Sequence, residues 1–254
     1  MTSRRFLLSL SAATAAGLPL SLLAPATAHA IDISFGNSTK VQGSGKMVDE
    51  VRNVGGFTRL RLEGSMNVVA KPGASQKVTV HADDNILPLI VTSVEGDTLV
   101  LTYKPHTSIS TNGVTRITVE FTQLTAVDSR GSGDVSIEAI KGDKFQLNLA
   151  GSGDVKLRNA ELGKLSTNLA GSGDVSLQGR AADFDVNIAG SGDVNALDLQ
   201  ARNVKANIAG SGDARVNASD TLNGQIVGSG DISYAGNPKV SRSVVGSGEV
   251  RPAK

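Results

Sequence analysis

Phe145-Gln146-Leu147-Asn148-Leu149-Ala150-Gly151-Ser152-Gly153-Asp154-Val155-Lys156-Leu157 decides the reading of this chain. On either side of Gly-Ser-Gly-Asp the apolar residues stand two apart, the period of a strand with one buried face. Between the two strands, glycine allows a corner with positive φ or close backbone approach. The aspartate can close the turn by accepting amide hydrogen bonds, and acceptance within its own turn is the simplest expectation.

Working outward, the same unit recurs. Its first glycine, second glycine and aspartate are Gly131, Gly133 and Asp134; Gly151, Gly153 and Asp154; Gly171, Gly173 and Asp174; Gly190, Gly192 and Asp193; Gly210, Gly212 and Asp213; and Gly228, Gly230 and Asp231. A seventh copy begins at Gly246 and ends in Glu249, and successive copies lie 20, 20, 19, 20, 18 and 18 residues apart. Six residues before the first glycine stand Phe145, Leu165, Phe184, Val204, Leu222 and Val240; two before it stand Leu149, Leu169, Ile188, Ile208, Ile226 and Val244. One coil cannot bury such a face alone, whereas stacked coils form a continuous core. The expected fold is therefore all-β, a β-solenoid of 18–20-residue coils over residues 125–254, preceded by a less regular N-terminal β region at 48–124. In that region Gly64-Ser65-Met66-Asn67-Val68 reads as a degraded copy of the motif, Glu95-Gly96-Asp97-Thr98 as a hairpin turn, and 31–47 as a flexible arm.

Composition narrows the function. Net charge is +1, so nucleic-acid binding has no electrostatic support. The absence of cysteine excludes a disulfide framework and a Cys-ligated metal. Residues 1–30 contain no acidic residue and read as a signal peptide: Arg4 and Arg5 open it, an apolar stretch follows, and Ala28-His29-Ala30 gives a small-x-small cleavage pattern before Ile31. Ser3-Arg4-Arg5-Phe6-Leu7-Leu8 fits a twin-arginine signal, with the general secretory route as the plain alternative. The mature chain is expected without a transmembrane segment, in the periplasm or at the cell surface, or secreted.

Three stretches carry a resemblance. They are Arg52-Asn53-Val54-Gly55-Gly56-Phe57 with Leu62-Glu63-Gly64-Ser65-Met66-Asn67-Val68; Val80-His81-Ala82-Asp83-Asp84-Asn85-Ile86 with Gly96-Asp97-Thr98-Leu99; and the Gly-Ser-Gly-Asp-Val series. Together they resemble the bacterial auto-transporter adhesin family with the head GIN domain. The resemblance covers nearly all of 48–250 and implies an exported all-β protein of β-helix type, with adhesion suggested by the name and no catalytic residues to carry over. Met66-Asn67 departs from the family's usual Gly-Asp, which leaves the geometry of that first turn open.

Stacking places the six aspartates in a row about 4.8 Å apart, where neighbours repel by roughly 1 kcal/mol in water. The 18–20-residue period does not match the calcium-binding nonapeptide, so a turn-closing role and no metal are expected. Asn148, Asn168, Asn187 and Asn207 form a second row, facing away from the core beside Ala150, Ala170, Ala189 and Ala209; stacked amides can bond along the axis, and the strip also offers a flat contact surface. His81 and His106 show no triad or metal spacing, and Asp83-Asp84-Asn85 reads as an exposed turn. No cofactor is called for. Two functions fit: an exported structural or adhesive protein whose faces bind a cell surface, an extracellular polymer or another copy; or a polysaccharide-active β-helix enzyme, by fold analogy alone.

Overall fold

The computed structural model describes residues 38–253. Within them the solenoid forms as the repeat predicts. Strands β1 (Thr39–Gln42), β2 (Met47–Arg52), β3 (Arg59–Gly64), β4 (Asn67–Pro72), β5 (Lys77–Asp83), β6 (Ile90–Glu95), β7 (Thr98–Tyr103), β8 (Thr107–Ser110) and β9 (Arg116–Phe121) precede the repeats. Strands β10 (Ala126–Gly131), β11 (Val135–Ile137), β12 (Ile140–Gly151), β13 (Val155–Gly171), β14 (Val175–Gly190), β15 (Val194–Gly210), β16 (Ala214–Gly228), β17 (Ile232–Ala235), β18 (Lys239–Gly246) and β19 (Val250–Pro252) build them. The long strands β13 to β16 each run from one motif, around a corner, into the next.

Every inter-coil pairing is parallel, and motif meets motif: Gly131 pairs Gly151, Gly151 pairs Gly171, Gly171 pairs Gly190, and so on to Gly228 with Gly246. The two glycines have different reasons. Gly151 has φ +155, outside the range side chains prefer. Gly153 has no such φ, but a Cβ there would sit 2.3 Å from the Gly133 carbonyl oxygen of the coil before. The first glycine makes the bend, and the second admits the neighbouring backbone.

The predicted columns are the core. Phe145, Leu165, Phe184, Val204 and Leu222 are buried, as are Leu149, Leu169, Ile188, Ile208 and Ile226. The last coil departs from this. Val244, in the last coil among the described residues, is 38% exposed; Val245, like Val227 in the coil before it, stands in the outward-facing column and is 65% exposed.

The stack reaches further back than the Gly-Ser-Gly-Asp series. Strands β3 and β4 form a coil of their own, with Gly64 opposite Gly131 and Val68 opposite Val135. Gly64 has φ +123, so Gly64-Ser65-Met66-Asn67 turns as the later motifs do. Met66 is tolerated at the second-glycine position because no motif turn precedes this coil: a Cβ on Gly64 would meet only the Tyr103 ring at 3.4 Å. Strands β7 and β9 continue the parallel stack beyond β3 and β4. Antiparallel pairing then closes that end, β6 on β7, β5 on β9 and β2 on β5. The Glu95–Thr98 hairpin is present, with Gly96 at φ +63.

Of the stretch 31–47, Thr39–Gln42 forms β1, paired in parallel with β8, because Thr and Val alternate with polar residues and β8 offers a free edge. Asp83 differs from its reading as part of an exposed turn: it is fully buried. It accepts the Gly45 N–H at 2.6 Å and the Thr111 hydroxyl, fastening the chain that follows β1 to the solenoid cap. The signal-peptide residues Arg4, Arg5, Ala28 and Ala30 lie outside the described residues.

Candidate functional site

Two polar ladders run along the stack. On the outward face of the strand before each motif, Asn168 donates to Asn148 at 2.8 Å, Asn187 to Asn168 at 2.8 Å and Asn207 to Asn187 at 2.7 Å. The row begins at Asp128, which accepts from Asn148 and lies 3.6 Å from Arg59. It ends at Asn207, whose Oδ1 is shielded and accepts no hydrogen bond; Gln225 stands at the next register position and does not extend the row. The alanines beside the ladder are exposed. Asn148, Asn168 and Asn187 each spend a donor and an acceptor along the row, and their remaining polar capacity faces outward.

The aspartate ladder bonds in a direction the sequence did not indicate. Its carboxylates do not close their own turns. Each Oδ1 accepts the amide N–H of the equivalent residue in the next coil: Asp154 donates to Asp134, Asp174 to Asp154 and Asp193 to Asp174, all at 3.0 Å, and Asp213 to Asp193 and Asp231 to Asp213 at 2.8 Å. The row opens at Asn67, which accepts the Asp134 N–H, and closes at Glu249, which donates to Asp231 at 2.9 Å. A charge-assisted bond to a backbone amide in every coil offsets the repulsion along the row. Asp231 also meets the Arg251 guanidinium at 2.9 Å; the Glu249 amide and this arginine hold its carboxyl below the usual range. Among the described residues, no three His, Asp or Glu side chains are grouped to hold a metal ion.

Two grooves flank the strand that carries the asparagine ladder. The first, about 570 Å³, opens on its outward face between Lys144, Gln146, Lys164, Ser166, Asn168 and Asp185. Asp185 hydrogen-bonds Lys164 and raises its pKa, so that ammonium stays charged. The second, about 500 Å³, lies at the corner just before that strand, where the regular register breaks between Ser176 and Gly179, Ala196 and Gln200, and Ala201 and Asn203. Leu162, Ala181 and Ala201 form its apolar floor, with Arg180, Arg202 and Gln200 around it. Sequence reasoning missed this corner, because it lies where coil length varies and the column pattern lapses. The irregular coil lengths were the only signal. The histidines stay apart from both grooves: His81 contacts Asp49 at 2.7 Å, and His106 sits in a loop at φ 58.

Comparison with known proteins agrees with this architecture. A solved structure described as a "putative adhesin" from Bacteroides fragilis is 26% identical, with a TM-score of 0.79, and the match covers 84% of this chain and 100% of that one. One described as a "putative lipid binding protein" from Parabacteroides distasonis is 28% identical, with a TM-score of 0.73, covering 85% and 100%. A "putative adhesin" from Parabacteroides merdae, 21% identical with a TM-score of 0.66 over 85% and 99%, shares the fold. Among curated proteins, none matches. The family model described as "putative auto-transporter adhesin, head GIN domain" matches residues 56–238, and the chain belongs to that family.

Proposed function

We propose that this protein is exported with loss of residues 1–30 and works as a binding protein, presenting the outward face of the asparagine-ladder strands to an external surface or polymer. The groove at Lys144, Gln146, Lys164 and Ser166 is the observation that carries this reading. It is polar, lies on the longest regular face of the stack, and adjoins exposed alanines that leave the face flat. The core is complete without it, and its side chains, Lys164 paired with Asp185 and Gln146 with Asn148, line an open surface. The adhesin description of the family supports the same reading.

Co-sedimentation of the purified chain with insoluble cell-wall and extracellular polymers tests it, with anionic vesicles in parallel. Ala170→Arg combined with Ala189→Arg puts two long side chains on exposed positions of the face. Binding should fall at least tenfold with thermal stability unchanged. Unaltered binding would exclude this face as the contact surface. Mass spectrometry of the exported protein should find Ile31 or a close neighbour at its N-terminus.

A further inference from the structure

We propose that the corner groove between Arg180 and Arg202 is a subsite for the carboxylate of an acidic saccharide; this rests on the binding-protein reading above but uses a different place on the solenoid. The groove exists because side-chain volume falls along one column: Leu162 is followed in register by Ala181 and Ala201. What Leu162 fills in its own coil stays open in the next two. Gly179, at φ +128, fits only because it lacks a Cβ, which would lie 2.3 Å from the Ala160 carbonyl oxygen. The corner is thus built against the grain of the repeat.

The charges point to an anion. Arg180 pairs in register with Gln200, and Arg202 follows two residues later, so the two guanidinium groups come from adjacent coils on one groove. Among the described residues, Arg180, Arg202 and Gln200 make no side-chain hydrogen bond, and neither arginine has a carboxylate within ion-pair distance. Three of the nearby carboxylates are already engaged: Glu161 with Lys141 at 3.0 Å, Asp183 with Asn203 at 3.0 Å, and Asp220 with Ser219 at 2.6 Å; Asp198, at the same corner, pairs with neither arginine. Two free guanidinium forks suit the planar, bidentate geometry of a carboxylate.

The remaining lining points to a sugar. Ala181 and Ala201 give a shallow apolar floor of the kind a ring's C–H face covers, while the Gln200 amide can both donate to and accept from ring hydroxyls, and the Ser219 oxygen, already donating to Asp220, can still accept. A lipid acyl chain needs a long apolar lining, and here the apolar floor is confined to Leu162, Ala181, Ala182 and Ala201.

The test is fluorescence anisotropy of the full exported chain with a labelled oligogalacturonate, beside the same oligomer methyl-esterified at its carboxyls. The acidic oligomer should bind at least tenfold more tightly than the ester. Arg180→Ala with Arg202→Ala should weaken it at least tenfold, and Arg180→Lys with Arg202→Lys should recover only part of the loss, since ammonium groups do not form the fork. Both arginines are exposed, so the variants should fold. Equal binding of ester and acid, or an unchanged double variant, would overturn the proposal. So would inorganic phosphate competing as well as the oligomer, which would mark a simple anion site. Arginine-dependent binding of anionic vesicles alone would assign the groove to lipid headgroups instead. If no oligosaccharide binds while Ala170→Arg with Ala189→Arg still abolishes polymer binding, this proposal falls and the broader reading stands.

Discussion

The repeat coils and the N-terminal cap are held by different means. From β10 to β19 each residue answers to the residue above it in its column: glycine to backbone, phenylalanine to leucine, asparagine to asparagine. From β1 to β9 little repeats. Beyond the parallel pairings of β3 with β7 and β4 with β9, the cap is closed by antiparallel ladders and by one buried carboxylate, Asp83, that ties Gly45 and Thr111 together. A periodic structure is written into its sequence several times over and can be read from it. A closure is written once, in contacts between residues as far apart as Gly45 and Asp83.

The sharpest way to break this contrast is at glycine. Gly153→Ala places a Cβ against the Gly133 backbone, which cannot move without parting two coils. The expected cost is about 3 kcal/mol or more, by overpacking. Gly142→Ala, one coil corner away, meets nothing within 4 Å and should be close to neutral. Chemical denaturation of the two variants measures the difference. Equal effects would mean that column contacts do not govern the repeats.

A smaller effect is expected in the cap. Asp83→Asn turns one acceptor oxygen into a donor facing donors, at a cost of about 1–3 kcal/mol. Hydrogen exchange should accelerate at residues 43–46 while the amides of β13 to β15 stay protected. Uniform loss of protection would show that the cap and repeats unfold as one unit.

The smallest effect is pH dependence at the far end. The folded-state pKa of Asp231 is depressed by the Glu249 amide and Arg251. Its stabilisation is therefore fully present above the ordinary aspartate pKa of about 3.9 and lost as pH falls through the lower folded value. Asp231→Asn should flatten the stability curve in that acid window, with its cost showing at neutral pH and vanishing below the folded pKa. Because the carboxylate still touches solvent, the change should be slight.

The same contrast explains what could be read in advance. Phe145, Leu165 and Phe184 declared the core by spacing alone, and Gly151 and Gly153 declared a turn. Strand parity placed Asn148, Asn168 and Asn187 on one outward row. Parity does not say which amide a carboxylate will choose, so the aspartates' bonds to the next coil were not legible: an amide in the same turn is a residue or two away in sequence, while the partner used lies 18–20 residues on. Asp83 was misread because Asp-Asp-Asn after a strand is usual in solvated turns, and the partners that bury it lie 28 and 38 residues away. The corner groove at Arg180 and Arg202 left only a change in coil length.

The central claim is a parallel, in-register stack running from the Gly64 turn through the motif series, and the chain's lack of cysteine gives a clean test. Ser65 and Ser132 are exposed and stand at equivalent places in successive turns, one strand spacing of about 4.8 Å apart, within disulfide reach. Ser65→Cys with Ser132→Cys should close a disulfide under mild oxidation, seen as a mobility shift on non-reducing gels, while Ser65→Cys with Ser152→Cys, two coils apart, should not. Ready closure of the second pair, or none in the first, would contradict the register and with it the stack.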